Sequence, residues 1–423
     1  MNQRPDRDIV LGQDVLGQDL APIPESLLLA HARGEVLFIA GAGVSRSAGL
    51  PDFRDLVVKV YEELDPAVHS VVSRKRVLLR VYNSQNRAVH SVISYNGQNP
   101  PELNAGQEAE VERFQRGEYD VVLGMLERRI EGQENAKSPV RQKVGKILRP
   151  NDLKPTSIHR DLMRLSDHGS AVTIITTNFD LLLENAARNM KSPVQTYALG
   201  GIPRPTLRQE FNGVLHIHGA LDRNPERTSD LIISDQDLGE FYLRRRIVPD
   251  LIYDAARLYN LVLVGYSAND PPMRYLLNAV AADGARFRDL KERFIFVGMS
   301  KDDPVELEDW KARGITPIRY DVQDHDHSQL QHTLAKWAEF SAINGDKSLV
   351  DRELKKIVKT KKAEARDKDR DLFDHFIRRG ELSERIRLSK LVSEYKADLG
   401  WLDAILAVSS EASRGSTDEI APA

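Results

Sequence analysis

The sequence predicts a doubly wound α/β fold: a mostly parallel, Rossmann-like sheet with an inserted helical module and a C-terminal helical extension. Three observations predict it. Apolar runs of strand length recur along the 423 residues, they do not alternate apolar with polar, and stretches of helical spacing separate them. Strands covered on both faces read as continuous β-branched runs, and parallel neighbours need a crossover, usually a helix, between them.

In chain order the runs are VLFIA (36–40), AVTIIT (171–176), GVLHIH (213–218), LVLVG (261–265), RFIFVG (293–298) and TPIRY (316–320). Each has strand length and β-branched content. More than a hundred residues separate the first two runs, and that interval (LVVKVYEEL, VVSRKRVLLRVY, EVERFQRGEYDVVLGMLERRI) has mostly helical spacing. It predicts a helical module over 57–150, inserted in a sheet domain of 21–345, with SYNGQNPPELNAGQE (94–108) as its most loop-like segment. From about 346 to 410 the chain is rich in both charges, with sparse Leu, Ile and Phe. This stretch reads as solvated helices, or as an arm whose apolar stripe meets a partner subunit. Residues 1–20 and 411–423 are expected to be flexible. No internal repeat is evident.

Composition narrows the function classes. With 41% hydrophobic and 29% charged residues the chain has globular usage, and no stretch approaches the roughly 18 apolar residues of a membrane span. The first residues lack the basic-then-apolar pattern of a secretory signal, and there are no cysteines. A reducing cytoplasm fits. A net charge of −3 gives no global attraction to nucleic acid, so any such contact is local or indirect.

Four strand ends carry small or polar clusters. The first run leads into Gly41-Ala42-Gly43, then Ser45, Gly49 and Pro51-Asp52-Phe53-Arg54. Glycines after a strand permit a sharp turn and close approach of backbone to a pyrophosphate, and a following helix presents amides to negative charge. The spacing departs from G-x-G-x-x-G because Arg46 stands at the third glycine position. An ordinary βα turn is the competing reading. The second cluster is Thr176-Thr177-Asn178-Phe179-Asp180, whose Asn and Asp serve either a ligand or a helix cap. The third is His216 and His218, two apart on one strand face. Without cysteine or an evident third ligand this pair does not predict zinc; one structural and one titrating histidine fits, with His218 the titrating one. The fourth joins Gly265 and Ser267 to Asp270, which caps a helix opened by Pro271 and Pro272.

GAGVSRSAGLPDFR, TTNFD, HIHG and GYS, in this order, resemble the sirtuin family of NAD-consuming proteins. The likeness covers roughly 36–320, apart from the helical module. It implies that the turn at Gly41 holds NAD, with Ala42, Gly43 and Ser45 along the pyrophosphate. Asp52, Phe53 and Arg54 would belong to a mobile loop over the nicotinamide end. Asn178 would hold the nicotinamide ribose or the attacking water, Asp180 the carboxamide, and His218 would act as base. Gly265 and Ser267 would meet the phosphate and adenosine side.

The departures shape the functional expectation. Sirtuin deacylases usually carry a four-cysteine zinc module, which this chain lacks; Thr177 replaces the usual Gln, and Tyr266 the Thr of Gly-Thr-Ser. These features resemble sirtuin-like domains of bacterial anti-phage defence, which cleave NAD to nicotinamide and ADP-ribose. The amphipathic, charged arms predict a homo-oligomer. The resemblance, together with the extra helical segments, implies an activity restrained until a partner, assembly or nucleic-acid signal arrives, with a HerA-type ATPase or an Argonaute-type protein as candidate partners. Two other readings are a protein deacylase and a regulator that binds NAD or ADP-ribose without turnover.

Overall fold

The computed structural model describes residues 16–17, 19–73, 80–82, 88–90, 101–130, 138–168, 172–190, 194–203, 212–221, 231–266, 290–300, 304–323 and 326–415. Ser267, Asp270, Pro271, Pro272, most of the segment 1–20 and residues 94–100 of the loop-like segment lie outside them.

The strands are β1 (Val36–Ala40), β2 (Arg80–Tyr82), β3 (Ala88–His90), β4 (Thr173–Thr176), β5 (Gln195–Ala198), β6 (Gly213–His216), β7 (Asn260–Val264), β8 (Arg293–Met299) and β9 (Thr316–Asp321). Seven of them form one sheet in the order β5-β6-β4-β1-β7-β8-β9. All its pairings are parallel, whereas β2 and β3 form a separate antiparallel pair. The sheet is the doubly wound α/β arrangement that the apolar runs predict. Strand β5 was not foreseen. It is an edge strand, its Gln195 and Thr196 are exposed, and a strand open to water needs no apolar run.

The two faces separate by residue parity along the central strands. Val36, Phe38, Ala40, Val262 and Val264 pack under the helices Glu25–Ala32, Ser157–Leu165 and Ser328–Gly345, with Trp337 at 5.4 Å from the Phe38 ring. Leu37, Ile39, Leu261 and Leu263 face the helices Ile247–Leu258 and Pro304–Ala312. Burial on both faces is the reason these strands carry no polar alternation. The chain leaves β1 for β4 on one side and later returns to β7 on the other, so the sheet reverses its winding at β1. Ligands of such sheets bind beyond the carboxyl ends of the strands at that reversal.

The interval after β1 folds around a third core. Val57, Val60, Tyr61, Val111, Phe114 and Leu123 are buried together from helices Phe53–Leu64, Ala105–Gln115 and Tyr119–Ile130. Leu221, Leu231 and Ile233, from the segments after β6, join the same core. The stretch from 347 onward forms helices Lys347–Ile357, Asp367–Arg379, Leu382–Glu394 and Leu399–Gly415. Their sparse apolar residues turn largely toward one another: Leu354, Phe373, Phe376, Leu388 and Trp401 make a fourth core, although Leu382, Ile386, Leu399 and Leu406 stay exposed. Trp401 stacks 4.6 Å from Phe373 and donates its Nε1–H to the Thr360 carbonyl at 2.9 Å.

Replacing this fully buried indole leaves a large void and an unpaired carbonyl. Trp401→Ala is expected to destabilise the C-terminal helices by about 3–5 kcal/mol. Urea unfolding followed by circular dichroism checks this; an unchanged transition would show that the fourth core does not hold these helices.

Candidate functional site

The site begins with backbone touching backbone. Gly41 N–H donates to the Val264 carbonyl at 2.8 Å, and Gly43 N–H to the Gly265 carbonyl at 2.9 Å. A Cβ on Gly41 would stand 2.6 Å from the Gly265 oxygen, and one on Gly43 would stand 2.9 Å from the Gly265 Cα. Gly265 itself has φ +76, and its added Cβ would lie 2.6 Å from the Val44 nitrogen. Only glycine serves at such approaches. The turn after β1 is thereby locked to the end of β7. Because the Gly43 and Val44 amides are already spent on Gly265 and Gly41, the turn offers close backbone and small side chains more than a row of free amides.

The end of β4 docks onto the same turn. Thr176 Oγ1 and Thr177 N–H both donate to the Ala40 carbonyl, at 2.9 and 3.1 Å. Asn178 then sends its Nδ2 hydrogens to the Gly41 carbonyl at 3.1 Å and Ser45 Oγ at 3.0 Å. A carbonyl only accepts, which fixes the amide's orientation and leaves Asn178 Oδ1 as its remaining acceptor. Ser45 Oγ passes its own hydrogen to Asp180 Oδ2 at 2.8 Å. Asp180 Oδ1 accepts from Leu182 N–H at 3.0 Å, at the start of the helix Leu182–Ala186, while the same carboxyl lines the site. Burial raises the Asp180 carboxyl above its ordinary range, against the Ser45 bond that lowers it.

The two histidines part company. His216, at the end of β6, donates from Nδ1 to the Asn178 carbonyl at 2.8 Å and holds Glu184 Oε1 with Nε2 at 2.8 Å. Burial lowers its pKa, but the Glu184 carboxylate outweighs that, and the net shift is upward. His218 lies just beyond the strand with Nε2 2.6 Å from the Tyr242 hydroxyl. Burial pushes its pKa down to about 4, so it stands neutral near pH 7. Burial thus favours the neutral form of His218, while the Glu184 carboxylate favours the protonated form of His216.

Asp52, Phe53 and Arg54 open a helix here; they are not a free loop. Asp52 caps Phe53–Leu64 by accepting from Asp55 N–H at 2.9 Å, and its other oxygen meets Arg46 at 3.2 Å. The Phe53 ring meets Tyr119 edge-on, and Arg54 lies over Phe114 at 5.5 Å. The helical module therefore supports this side of the site.

A cavity of about 880 Å³ gathers these parts. Ala42, Gly43 and Ser45 line it from the turn, and Asp52, Phe53 and Arg54 from the helix start. Asn178, Asp180, His218 and Gly265 come from three further strand ends. Gly41 sits beneath the lining, and Ser267 is outside the described residues. The volume suits an extended organic ligand. Arg46 and Arg54 are the arginines lining it among the described residues, next to several hydroxyl, amide and carboxyl groups. Such a mixture fits a dinucleotide, whose pyrophosphate takes cations and whose riboses take hydrogen-bonding groups. Among the described residues no three His, Asp or Glu side chains are grouped as a metal would need, and no helix is long and apolar enough to cross a membrane.

Sequence reasoning missed Glu184, Tyr242 and the pocket-lining Tyr119 and Asp120. Glu184 stands six residues after Asn178, in the helix that follows it, which is a usable signal. Tyr242 carries none, because only tertiary packing brings it to His218. Tyr266 lay inside a motif, and its hydroxyl contacts Thr177 Oγ1 at 3.0 Å and the Ala40 carbonyl at 3.2 Å.

Residues 172–318 match a family model described as SIR2-like domain. A curated relative, the uncharacterized protein y4cA of Sinorhizobium fredii (strain NBRC 101917 / NGR234), is 31% identical over 315 residues. That alignment takes in 73% of this chain and 22% of the relative, so the chain spans about a fifth of the relative's length. With the parallel sheet and the cavity at its reversal, the match supports a sirtuin-like domain. The glycine turn and the Pro-Asp-Phe-Arg start lie before the matched segment and join it in space.

Buried histidines give the fold a definite pH response. His31, His159 and His218 are each lowered to about 4, and His375 to about 3, in every case by burial first. Their folded pKa lies below the unfolded value of about 6.5, so the unfolded chain binds more protons as pH falls between those limits. Each is expected to remove on the order of 3 kcal/mol of stability by pH 4. His216 has the opposite sign: its contribution is complete at low pH and is lost as pH rises through its raised value. Urea unfolding at pH 7, 6 and 5 should give falling midpoints, with a shallower fall in His159→Asn; a flat profile would contradict the burial of these rings.

Proposed function

We propose that the chain cleaves NAD at the bond between nicotinamide and ribose, releasing nicotinamide and ADP-ribose. The observation that supports it is the convergence of Asn178, Asp180 and His218 on one cavity whose floor is the Gly41–Gly43–Gly265 junction. The match of 172–318 to a SIR2-like domain supports NAD as the ligand.

The nicotinamide ring leaves as a neutral molecule from a cationic one, so its departure needs orientation and charge stabilisation more than acid catalysis. In this reading the glycosidic C–N electron pair stays with the nicotinamide nitrogen, and a water oxygen supplies the new bond to the anomeric carbon. Asn178 Oδ1, the acceptor left by the bonds to Gly41 and Ser45, holds one hydrogen of that water. His218, neutral in its buried setting, accepts the proton that the water loses. Asp180, with its raised carboxyl, binds the carboxamide or its neighbouring hydroxyls.

The wider role we propose is NAD depletion in bacterial anti-phage defence, with the activity restrained until a partner or self-assembly releases it. A HerA-type ATPase or an Argonaute-type protein is the proposed partner. The likeness of the motifs GAGVSRSAGLPDFR, TTNFD, HIHG and GYS supports this.

Chromatographic measurement of nicotinamide and ADP-ribose from NAD tests the reading. Wild-type protein should form both in equal amounts, Asn178→Ala should lose the activity, and His218→Ala should be slower by about 10²- to 10⁴-fold. Consumption of NAD only in step with an acetyl-lysine peptide would favour a deacylase. Tight NAD binding with no product, with or without the proposed partner, would favour a regulator.

A further inference from the structure

His218 has a neighbour that no motif announces. The Tyr242 hydroxyl lies 2.6 Å from His218 Nε2, the two rings are 5.8 Å apart, and both residues are buried. Tyr242 rides on a six-residue π-helical turn, Gly239–Arg244. Such turns are rare and gather at functional positions. Arg246, just after it, adopts a left-handed backbone with φ 53. Within this turn Tyr242 points inward while Leu243 next to it is 78% exposed.

The strap that carries this turn is pinned on two sides. On the site side, Ile232 N–H donates to the His218 carbonyl at 2.8 Å. Asp237 takes the Ser234 and Ile233 amides, at 2.9 and 3.0 Å, and so folds the strap on itself. On the other side, Arg141 of the helical module donates to the Leu231 carbonyl at 2.7 Å and to both Asp237 oxygens at 2.9 Å. Arg141 is itself braced by Glu127 at 2.8 Å, and Arg128 meets Asp235 at 3.2 Å.

We infer that Tyr242 is a positioning residue for His218, holding Nε2–H so that Nδ1 presents its lone pair to the cavity, and that the helical module fixes the strap delivering it. A phenol oxygen has lone pairs that accept from an imidazole N–H, and the 2.6 Å contact fits that direction. An acceptor on the far nitrogen selects one tautomer, aligns the ring and steadies the imidazolium formed when Nδ1 takes a proton. Removing the hydroxyl leaves a buried N–H unpaired and the ring free to exchange tautomers. The kinetic consequence rests on the NAD-cleaving reading; the geometric one does not.

The experiment uses full-length protein labelled with ¹⁵N-histidine, with His218→Gln to assign the ring signals. Wild-type His218 is expected to be protonated on Nε2, and Tyr242→Phe, which keeps the ring and loses only the hydroxyl, to give mixed tautomers. On NAD, the same variant is expected to lower kcat on the order of 10- to 100-fold with KM little changed. Arg141→Lys is expected to move the His218 signal in the same direction. A wild-type ring protonated on Nδ1, or a signal unmoved in Tyr242→Phe, overturns the assignment; a signal unmoved in Arg141→Lys overturns the part given to the helical module. If wild-type protein forms no nicotinamide with or without the proposed partner, the NAD-cleaving reading fails, and the tautomer signal still decides for or against Tyr242.

Discussion

The contact between the turn after β1 and the end of β7 is the constraint from which the rest of the site follows. Three glycines allow two backbones to meet where any side chain would separate them. Since β1 also pairs with β4, the Ala40 and Gly41 carbonyls become the fixed acceptors onto which Thr176, Thr177 and Asn178 dock. One backbone contact thus sets the depth of the cavity floor and the position of the amide above it. A side chain at Gly43 would push the turn off β7 and move Ser45, and with it the acceptor chain to Asp180.

Charge in this interior is spent sparingly and in pairs. A lone buried ion is costly, and a buried ion with a well-placed partner is retained. His216 and Glu184 follow that rule, and their contact holds the Asn178 carbonyl as well, so an ion pair away from the cavity helps to orient a residue lining it. Among the described residues no carboxylate meets the His218 ring; burial favours its neutral form, and a phenol is its partner. The same motif therefore yields two different rings, one tuned up by a neighbour and one tuned down by burial. A neutral imidazole beside an orienting hydroxyl suits proton acceptance.

The helical module is structurally continuous with the site. Its core includes Leu231 and Ile233 from beyond β6, its Tyr119 meets Phe53, and its Arg141 holds the strap that carries Tyr242. Groups from two sequence-distant regions therefore define the far wall of the cavity. Any influence acting on the module has a short path, through packed side chains and charge-assisted hydrogen bonds, to the ring of His218.

Much of this was legible in the sequence, for a local reason. Strands buried on both faces must be continuously apolar, so β1, β4, β6, β7, β8 and β9 stand out, while β5 at the wet edge does not. Glycine at 41, 43 and 265, and the polar clusters at strand ends, are visible because backbone approach and ligand contact constrain residue type at single positions. Where those residues go relative to one another is another matter. Phe53 and Arg54 begin a helix because Asp52 caps it and aromatic residues some sixty positions away receive them. His218 is neutral because the fold surrounds it, and Tyr242 reaches it only through a π-helical turn. The sequence by itself determined which residues have chemistry to offer and the parallel sheet that collects them. Tertiary structure alone decided their partners and protonation, because burial and long-range packing are properties of the folded chain and leave no spacing to read.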